Sequence, residues 1–413
     1  MSHALALVVL VWCVLLAGPG SATPLRPFGA VAGFLAPEKT GLGESISLVL
    51  WHDVLSAMDD SAQTHVQWAP RAQPPPPTAL RTPADHTTAE QLAQRLSVGL
   101  VLWGAVAAQQ GRLVVDSSVT LNPTLAGTTL PLRLHTAQLG GLAATIPRVR
   151  FNFTTVETAR AAYFGRLLRV RRPTVLRARP QQASQVVGRV GSDTVVQALD
   201  MAGAWWKVRH RDGTAYMPYH VVEALPRAVE GRMPTGTLYA APHPDAAVLW
   251  TGPLPGRVPV LARQYHAGQG WWYRLTVGET VGWVSAVEVR PVYALPAVHC
   301  VAGLTLSQRG HYPEAVQAFE HFLARADEAG NKSLRAVAYQ MLGLSQLKTA
   351  RHAAEAPQPW EAFSYAITLT PYNATGLYTA GAGHAARHPD AGPLARRGAG
   401  HRGHQYGAGA GCA

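Results

Sequence analysis

Apolar and polar residues alternate with period two through AWWKVRH (204–210) and GWWYRLTV (270–277), as in strands that cover one face and bare the other. Trp206 and Val208 fall on one face of the first strand, Trp205 and Lys207 on the other. In the second strand Tyr273 and Leu275 face one way, Trp272 and Arg274 the other. One aromatic of each pair is thus expected to fill a core, while Trp205 or Trp272 stands outside beside a cation. RDG (211–213) and VGET (277–280) read as tight turns, after which Tyr216 and Trp283 begin the return strands.

These stretches belong to a longer repeat. Trp205, Lys207 and Tyr216 each recur sixty-seven positions later, as Trp272, Arg274 and Trp283. Upstream, VLRARP (175–180) answers TLYAAP (237–242), with the offset smaller by five, so an indel lies between. Two all-β units are expected, over 173–226 and 232–291.

Ahead of them, 26–155 mixes strand and helix periods and reads as an α/β domain. FGAVAGF is a short apolar strand, and GESISLVLWHDVLSAM places Ile46, Val49, Leu50 and Val54 on one helical face. HVQWA is a strand, and the proline run after it excludes regular structure. Thr87 and Glu90 form a candidate capping box for a helix carrying Leu92 and Leu96. VGLVLWGAVA and GRLVVDSSVTL make a hairpin, with Leu113, Val115, Val119 and Leu121 on alternate positions. ETARAAYFGRLLRVRRP (156–172 with its flank) reads as a basic linker helix. From Pro296 to His388 the period turns helical, and beyond it 389–413 has too few large apolar residues to pack.

Composition alters this outline little. The 413 residues carry a formal charge of +12, with lysine only at 39, 207, 332 and 348. Arginine, alanine, glycine and proline are used heavily throughout, so the charge is a weak pointer to a partner. No nucleic-acid-binding pattern is present. The apolar run Ala4–Ala17, followed by GSA ending at Ala22, reads as a secretory signal over 1–22, with an uncleaved anchor as the alternative because no Lys or Arg precedes it. No membrane span is expected after its removal. Cys300 and Cys412 would remain, too few for a disulfide scaffold.

Four resemblances sharpen the expectation. The order strand, helix, strand, helix and hairpin, clearest in LAQRLSVGLVLWGAVAAQQGRLVVDSSVTL, resembles the amino-terminal domain of TolB-like periplasmic proteins, which implies a small α/β docking domain; a generic α/β domain reads equally well. LRARP, AWWKV and AYMP in the first unit, and LYAAP, WWYRL and GWVS in the second, resemble the bacterial SH3-like domain, a small barrel. Tyr239 departs from it where the first unit has Arg177, and Ala215 replaces a glycine. Gly303, Gly310, Tyr312, Ala315 and Phe319 resemble a tetratricopeptide repeat, with Gly343, Phe363, Ala366 and Pro371 in a second copy and Gly381 opening a third. GAGHAA at Gly381 matches a dinucleotide fingerprint, yet no strand precedes it.

The SH3-like resemblance implies a ligand of peptidoglycan stem peptide or wall polymer, held by Trp205, Lys207, Tyr216, Trp272, Arg274 and Trp283. The helical repeats imply a protein partner. Neither HExxH nor GxSxG occurs, and His299 beside Cys300 diverges by about 100° on a helix, which excludes a dyad. His384 and His388 lack a third ligand. The expectation is an exported, periplasmic or extracellular binding protein without catalysis, cofactor or metal. Its alternative is an envelope scaffold with no wall ligand.

Overall fold

The computed structural model describes residues 27–37, 41–58, 66–72, 75–122, 130–132, 142–144, 150–153, 155–211, 213–266, 269–325, 332–349 and 358–369. The expected signal, the third helical repeat, Cys412 and the tail lie outside the described residues.

The amino-terminal part is a mixed sheet. Strand β1 (Gly29–Leu35) is followed by helix α1 (Leu42–Ser56), β2 (Val66–Trp68), the single turn α2 (Thr78–Arg81), α3 (His86–Leu96), β3 (Leu100–Gln109) and β4 (Arg112–Leu121). β2 and β3 both run parallel to β1, and β3 pairs antiparallel with β4 across Gln110–Gly111. A small pair, β5 (Leu130–Leu132) with β6 (Leu142–Ala144), lies apart. β7 (Arg150–Asn152) and β8 (Val156–Ala159) both add to β4. The expected order of strands and helices is therefore present, with two corrections. A helical turn starts at Thr78, directly after the proline run, since Pro77 can precede a helix without losing a needed donor. The cap of α3 is Asp85, whose carboxylate accepts from Thr88 N at 2.7 Å; Glu90 is turned instead toward Arg150, at 3.0 Å.

α1 buries Ile46, Val49, Leu50 and Val54 as its periodicity requires, and Ser45, Ser47 and Leu48 as well. One face lies on the sheet, and others meet the β barrel and helical parts described next.

The stretch read as a linker helix is mostly strand. Only α4 (Arg160–Phe164) is helical, and β9 (Arg166–Val170) alternates buried and half-buried residues. As a strand, Leu168 and Val170 go inward together. β9 continues into β10 (Thr174–Arg177), β11 (Val186–Val190), β12 (Val195–Ala202), β13 (Trp205–His210), β14 (Gly213–Pro218) and β15 (Val222–Ala224), in the sheet order β11-β10-β14-β13-β12-β9-β15. Strand β9, upstream of 173, thus belongs to the same sheet as β10 to β15.

The same pairing scheme follows in β16 (Ala228–Gly231), β17 (Gly236–Tyr239), β18 (Val248–Gly252), β19 (Arg257–Pro259), β20 (Ala262–His266), β21 (Gly270–Val277), β22 (Thr280–Ser285) and β23 (Val289–Val292). Here the strands divide into two sheets, β18-β17-β22-β21-β20 and β19-β16-β23. β9 lies between β12 and β15, as β16 lies between β19 and β23. A cross-strand ion pair recurs with its charges exchanged: Arg169 faces Glu223 in the first unit, and Glu230 faces Arg290 in the second.

Helices α5 (Ala297–Arg309), α6 (Tyr312–Arg325), α7 (Lys332–Thr349) and α8 (Gln358–Leu369) pack each on the next. Gly303 makes the first approach close, because a β-carbon there would sit 2.8 Å from the Phe319 ring. Gly310, at φ +83°, ends α5 in the left-handed region. Phe319 and Phe363 are fully buried.

These parts are not separate beads. One continuous core runs from Ile46 through Trp206 to Phe319, while the second β unit keeps its own around Leu238, Tyr273, Leu275 and Val284. The buried Arg166–Asp53 ion pair further joins β9 to α1. Among the described residues no helix is long and apolar enough to cross a membrane.

Candidate functional site

The repeat register brings the expected site residues together within each unit. On one outer face Lys207 lies opposite Tyr216, and Tyr216 opposite Arg177. Sixty-seven residues on, Arg274 lies opposite Trp283, and Trp283 opposite Tyr239. Trp206 and Tyr273 are buried in their cores, as the alternation required, and Trp205, Lys207, Tyr216 and Trp283 are half-buried.

Trp272 departs from expectation. It is buried, at 2 % exposure, and is not an open platform. The cause is Tyr239, whose ring meets it edge-on at 5.6 Å and 81°. The first unit has Arg177 at that register, and its guanidinium is drawn off to the Ser184 carbonyl at 2.7 Å. The same outer position is therefore open in one unit and filled in the other.

The neighbour Trp271 takes the exposed role. It is half-buried, its Nε1 donates to the Met58 carbonyl at 3.1 Å, and Tyr265 meets it edge-on at 5.2 Å. The Arg263 guanidinium lies over its indole ring, 4.3 Å from the centroid. The adjacent tryptophans hinted at this residue, but its partners are far away in sequence.

Trp271 belongs to a cleft of about 750 Å³ between the two β units. One wall carries Arg169, Arg171, Asp193, Val195 and Glu223; the other carries Arg263, Tyr265, Trp271, Arg274, Val281 and Trp283. Of the six residues expected to bind ligand, Arg274 and Trp283 line this cleft, whereas Trp205, Lys207, Tyr216 and Trp272 do not.

Charge in the cleft is unequal. Four arginines face two carboxylates, and Glu223 is already held by Arg263 at 2.7 Å and by Arg169 Nε at 3.0 Å. Burial raises the pKa of Glu223, but Arg263, Arg169 and Arg171 overcome it and hold the carboxyl below its ordinary value. Arg171 stands 3.7 Å from Glu223 and is half exposed, and Arg274 is exposed. The cleft therefore offers surplus positive charge beside aromatic faces and the exposed side chains of Val195 and Val281. That combination suits an anionic group attached to an apolar or stacking one. No cluster of three metal-ligating side chains occurs among the described residues.

Residues 174–223 match the family model of the bacterial SH3 domain. One bacterial SH3 domain is thus present, and it supplies Val195, Asp193 and Glu223 to the cleft wall. Comparison with curated proteins gives no match. Among solved structures, NlpC2 from Trichomonas vaginalis is similar over 36 % of this chain at 12 % identity, with a TM-score of 0.17. NlpC1 from the same organism is similar over 31 % at 14 % identity, with a TM-score of 0.16. The chain spans 57 % and 46 % of those two proteins.

Proposed function

We propose that the protein is an exported, cell-wall-associated binding protein, and that the cleft between its β units takes a carboxylate-bearing wall peptide. The observation that carries this reading is the cleft's surplus arginine, set beside Trp271 and Trp283 on the flank of a bacterial SH3 domain. Wall peptides carry carboxylates for Arg171 and Arg274, and backbone or sugar that can lie against indole faces.

Under this reading residues 228–292 are a second SH3-like barrel, supported by the shared register and the charge-exchanged ion pair. Its role is to complete the cleft rather than to act as an independent module. The amino-terminal domain, of TolB-like type, braces the cleft floor through Ser56 and Met58. Helices α5–α8 are tetratricopeptide-like hairpins that receive a protein partner. The protein works by binding and not by catalysis.

Co-sedimentation with purified peptidoglycan tests the proposal. Binding that weakens in high salt, and that Arg171→Gln with Arg274→Gln removes, is the expected result. Wall material left in the supernatant by the wild-type chain would leave the scaffold reading in its place.

A further inference from the structure

A cluster of buried donors lies where α1, α4, β9 and the link between the two β units meet. Arg166 turns Nη1 and Nη2 to the Asp53 carboxylate, and both side chains are almost wholly buried. Its Nε–H is buried as well but meets no acceptor among the described residues. The same holds for the hydroxyl of the fully buried Tyr163 and for Nε and Nη2 of Arg227, which sits in the link between β15 and β16. The Arg227 guanidinium lies 5.9 Å from the centroid of the Tyr163 ring. Arg166 and Asp53 are near enough to act electrostatically on both Tyr163 and Arg227. Buried donors are nearly always matched by an acceptor, so four in one place point to a ligand that supplies one.

Charge points the same way. Asp53 is engaged by Arg166, and Arg257, also near, is held by Glu230 at 2.8 Å. Arg227 therefore brings a second positive charge whose buried nitrogens meet no carboxylate. Burial pushes its pKa down to about 10, Arg166 adds to the fall, and Asp53 offsets only part of it. At neutral pH the guanidinium is still charged. A water molecule could accept from these donors but would leave that charge uncompensated. An anion does both. Desolvation becomes steeper as charge rises, which favours a singly charged ion over sulfate or phosphate at so buried a place.

We propose that Arg227, Tyr163 and the Nε–H of Arg166 bind a small monovalent anion of the chloride class, which fastens the link between the β units to α4 and β9. None of these residues lines the cleft, so the site does not depend on what the cleft binds.

Urea unfolding of the full chain at constant ionic strength, with chloride replaced stepwise by gluconate, tests this. Above half-saturation the unfolding constant should fall about tenfold for each tenfold rise in chloride, the mark of a single site. Tyr163→Phe removes one donor and little else. It should raise the chloride needed about tenfold, yet be no less stable than the wild type in gluconate, where the buried hydroxyl gains nothing. Arg227→Gln should abolish the chloride dependence. Crystals grown in bromide should show an anomalous peak within hydrogen-bond reach of Arg227 Nε and Tyr163 Oη. Equal stability in chloride and gluconate overturns the proposal, as does an equal chloride response in the wild type and Arg227→Gln. A water at that place, without anomalous signal, overturns it too. Should Arg227→Gln fail to fold, the Tyr163→Phe series and the bromide crystal decide the matter.

Discussion

Arg263 of β20 donates through Nε to Glu223 Oε1 of β15 at 2.7 Å, and both side chains are almost wholly buried. The same guanidinium donates through Nη1 to the Ser56 carbonyl at 2.7 Å and covers the Trp271 ring. Three parts of the chain therefore meet at one side chain: the second β unit, the first barrel and the end of α1. Tyr293, after β23, reinforces the node by accepting from Ser56 Oγ at 2.9 Å. The cleft has a fixed width because its two walls are bolted at its floor.

Removing Arg263 tests that role. Arg263→Ala leaves Glu223 with Arg169 and the more distant Arg171, and strips the Ser56 carbonyl of the Arg263 donor. Breaking one side of a buried ion pair costs roughly 3–5 kcal/mol. The expected result in urea unfolding is a loss of that size. Arg263→Lys should recover only part of it, since an ammonium cannot make the forked contacts or cover the indole. A loss below about 1 kcal/mol in Arg263→Ala would show that the walls are held elsewhere.

The two tryptophan pairs should respond differently. Trp206→Ala empties a fully buried site and should cost roughly 3–5 kcal/mol, whereas Trp205→Ala, from a half-buried site, should cost much less. In the second unit Trp272→Ala should resemble Trp206→Ala, because Trp272 is covered by Tyr239. Thermal melts of the four alanine variants at 205, 206, 271 and 272 check the ordering. Equal, small effects at 205 and 272 would restore the symmetric reading that alternation alone gives.

That asymmetry marks how far the sequence carries. The spacing of sixty-seven is enough to place Lys207 opposite Tyr216 and Arg274 opposite Trp283, because pairing register follows from turn length and alternation. The burial of Trp272 depends on a residue on another strand, and the value of Trp271 on Met58, more than two hundred residues away. Nothing local in ETARAAYFGRLLRVRRP separates a basic linker helix from the short α4 and the strand β9 that the fold contains; the pairing of β9 with β12 and β15 decides it. The cleft belongs to no single segment, so no local pattern could disclose it. Arg274 and Trp283 were found through the repeat; Arg171, Arg263 and Trp271 needed the tertiary structure.

The helical part offers a packing test. Phe319 is fully buried against Gly303, so Phe319→Ala opens a cavity and should cost roughly 3–5 kcal/mol. Gly303→Ala should also destabilise, because the new β-carbon meets the ring of a side chain that is itself held on all sides. Combining the two should cost less than their sum, since the smaller residue at 319 makes room at 303. Additive losses in denaturant melts would count against direct packing between α5 and α6.

Acid should weaken the fold before carboxylates titrate. Burial pushes His52 down to about 3, helped by Arg166, Arg171 and Arg263, and pushes His321 down to about 3, helped by Arg232 and Arg290. His299 is also held well below the ordinary 6.5 by burial, with the neighbouring His321 ring 5.1 Å away adding to it. All three are neutral in the fold and take up protons readily only when unfolded. Between pH 6.5 and about 3 the unfolded chain thus binds more protons, and stability falls as pH falls. Each histidine contributes a slope of about 1.36 kcal/mol per pH unit in that window. Unfolding midpoints in urea should be level above pH 7 and drop steadily from 6.5 downward. His321→Gln should reduce the slope between pH 6 and 4.5 by about one third of the part these residues cause. A midpoint that stays level to pH 4.5 would contradict the neutral burial of all three.

The last test separates the cleft from the open outer face of the first barrel. Lys207, Tyr216 and Trp205 form the face expected from sequence, whereas Arg171, Arg274 and Trp283 lie in the cleft. All six side chains are at least half exposed or half-buried, so small losses of stability are expected from truncating the cations. If the cleft holds the ligand's carboxylate, Arg274→Gln should lower affinity for soluble wall peptide about tenfold, the scale of one charge-assisted contact of roughly 1.5 kcal/mol. It should also flatten the dependence of affinity on salt, because one partner of a screened attraction is gone. Lys207→Gln should leave both quantities unchanged. Calorimetric titrations at 50 mM and 300 mM salt, on variants whose melts match the wild type, distinguish the two sites. An affinity loss with Lys207→Gln and none with Arg274→Gln would move the site to the outer face of the first barrel and return the cleft to a purely structural junction.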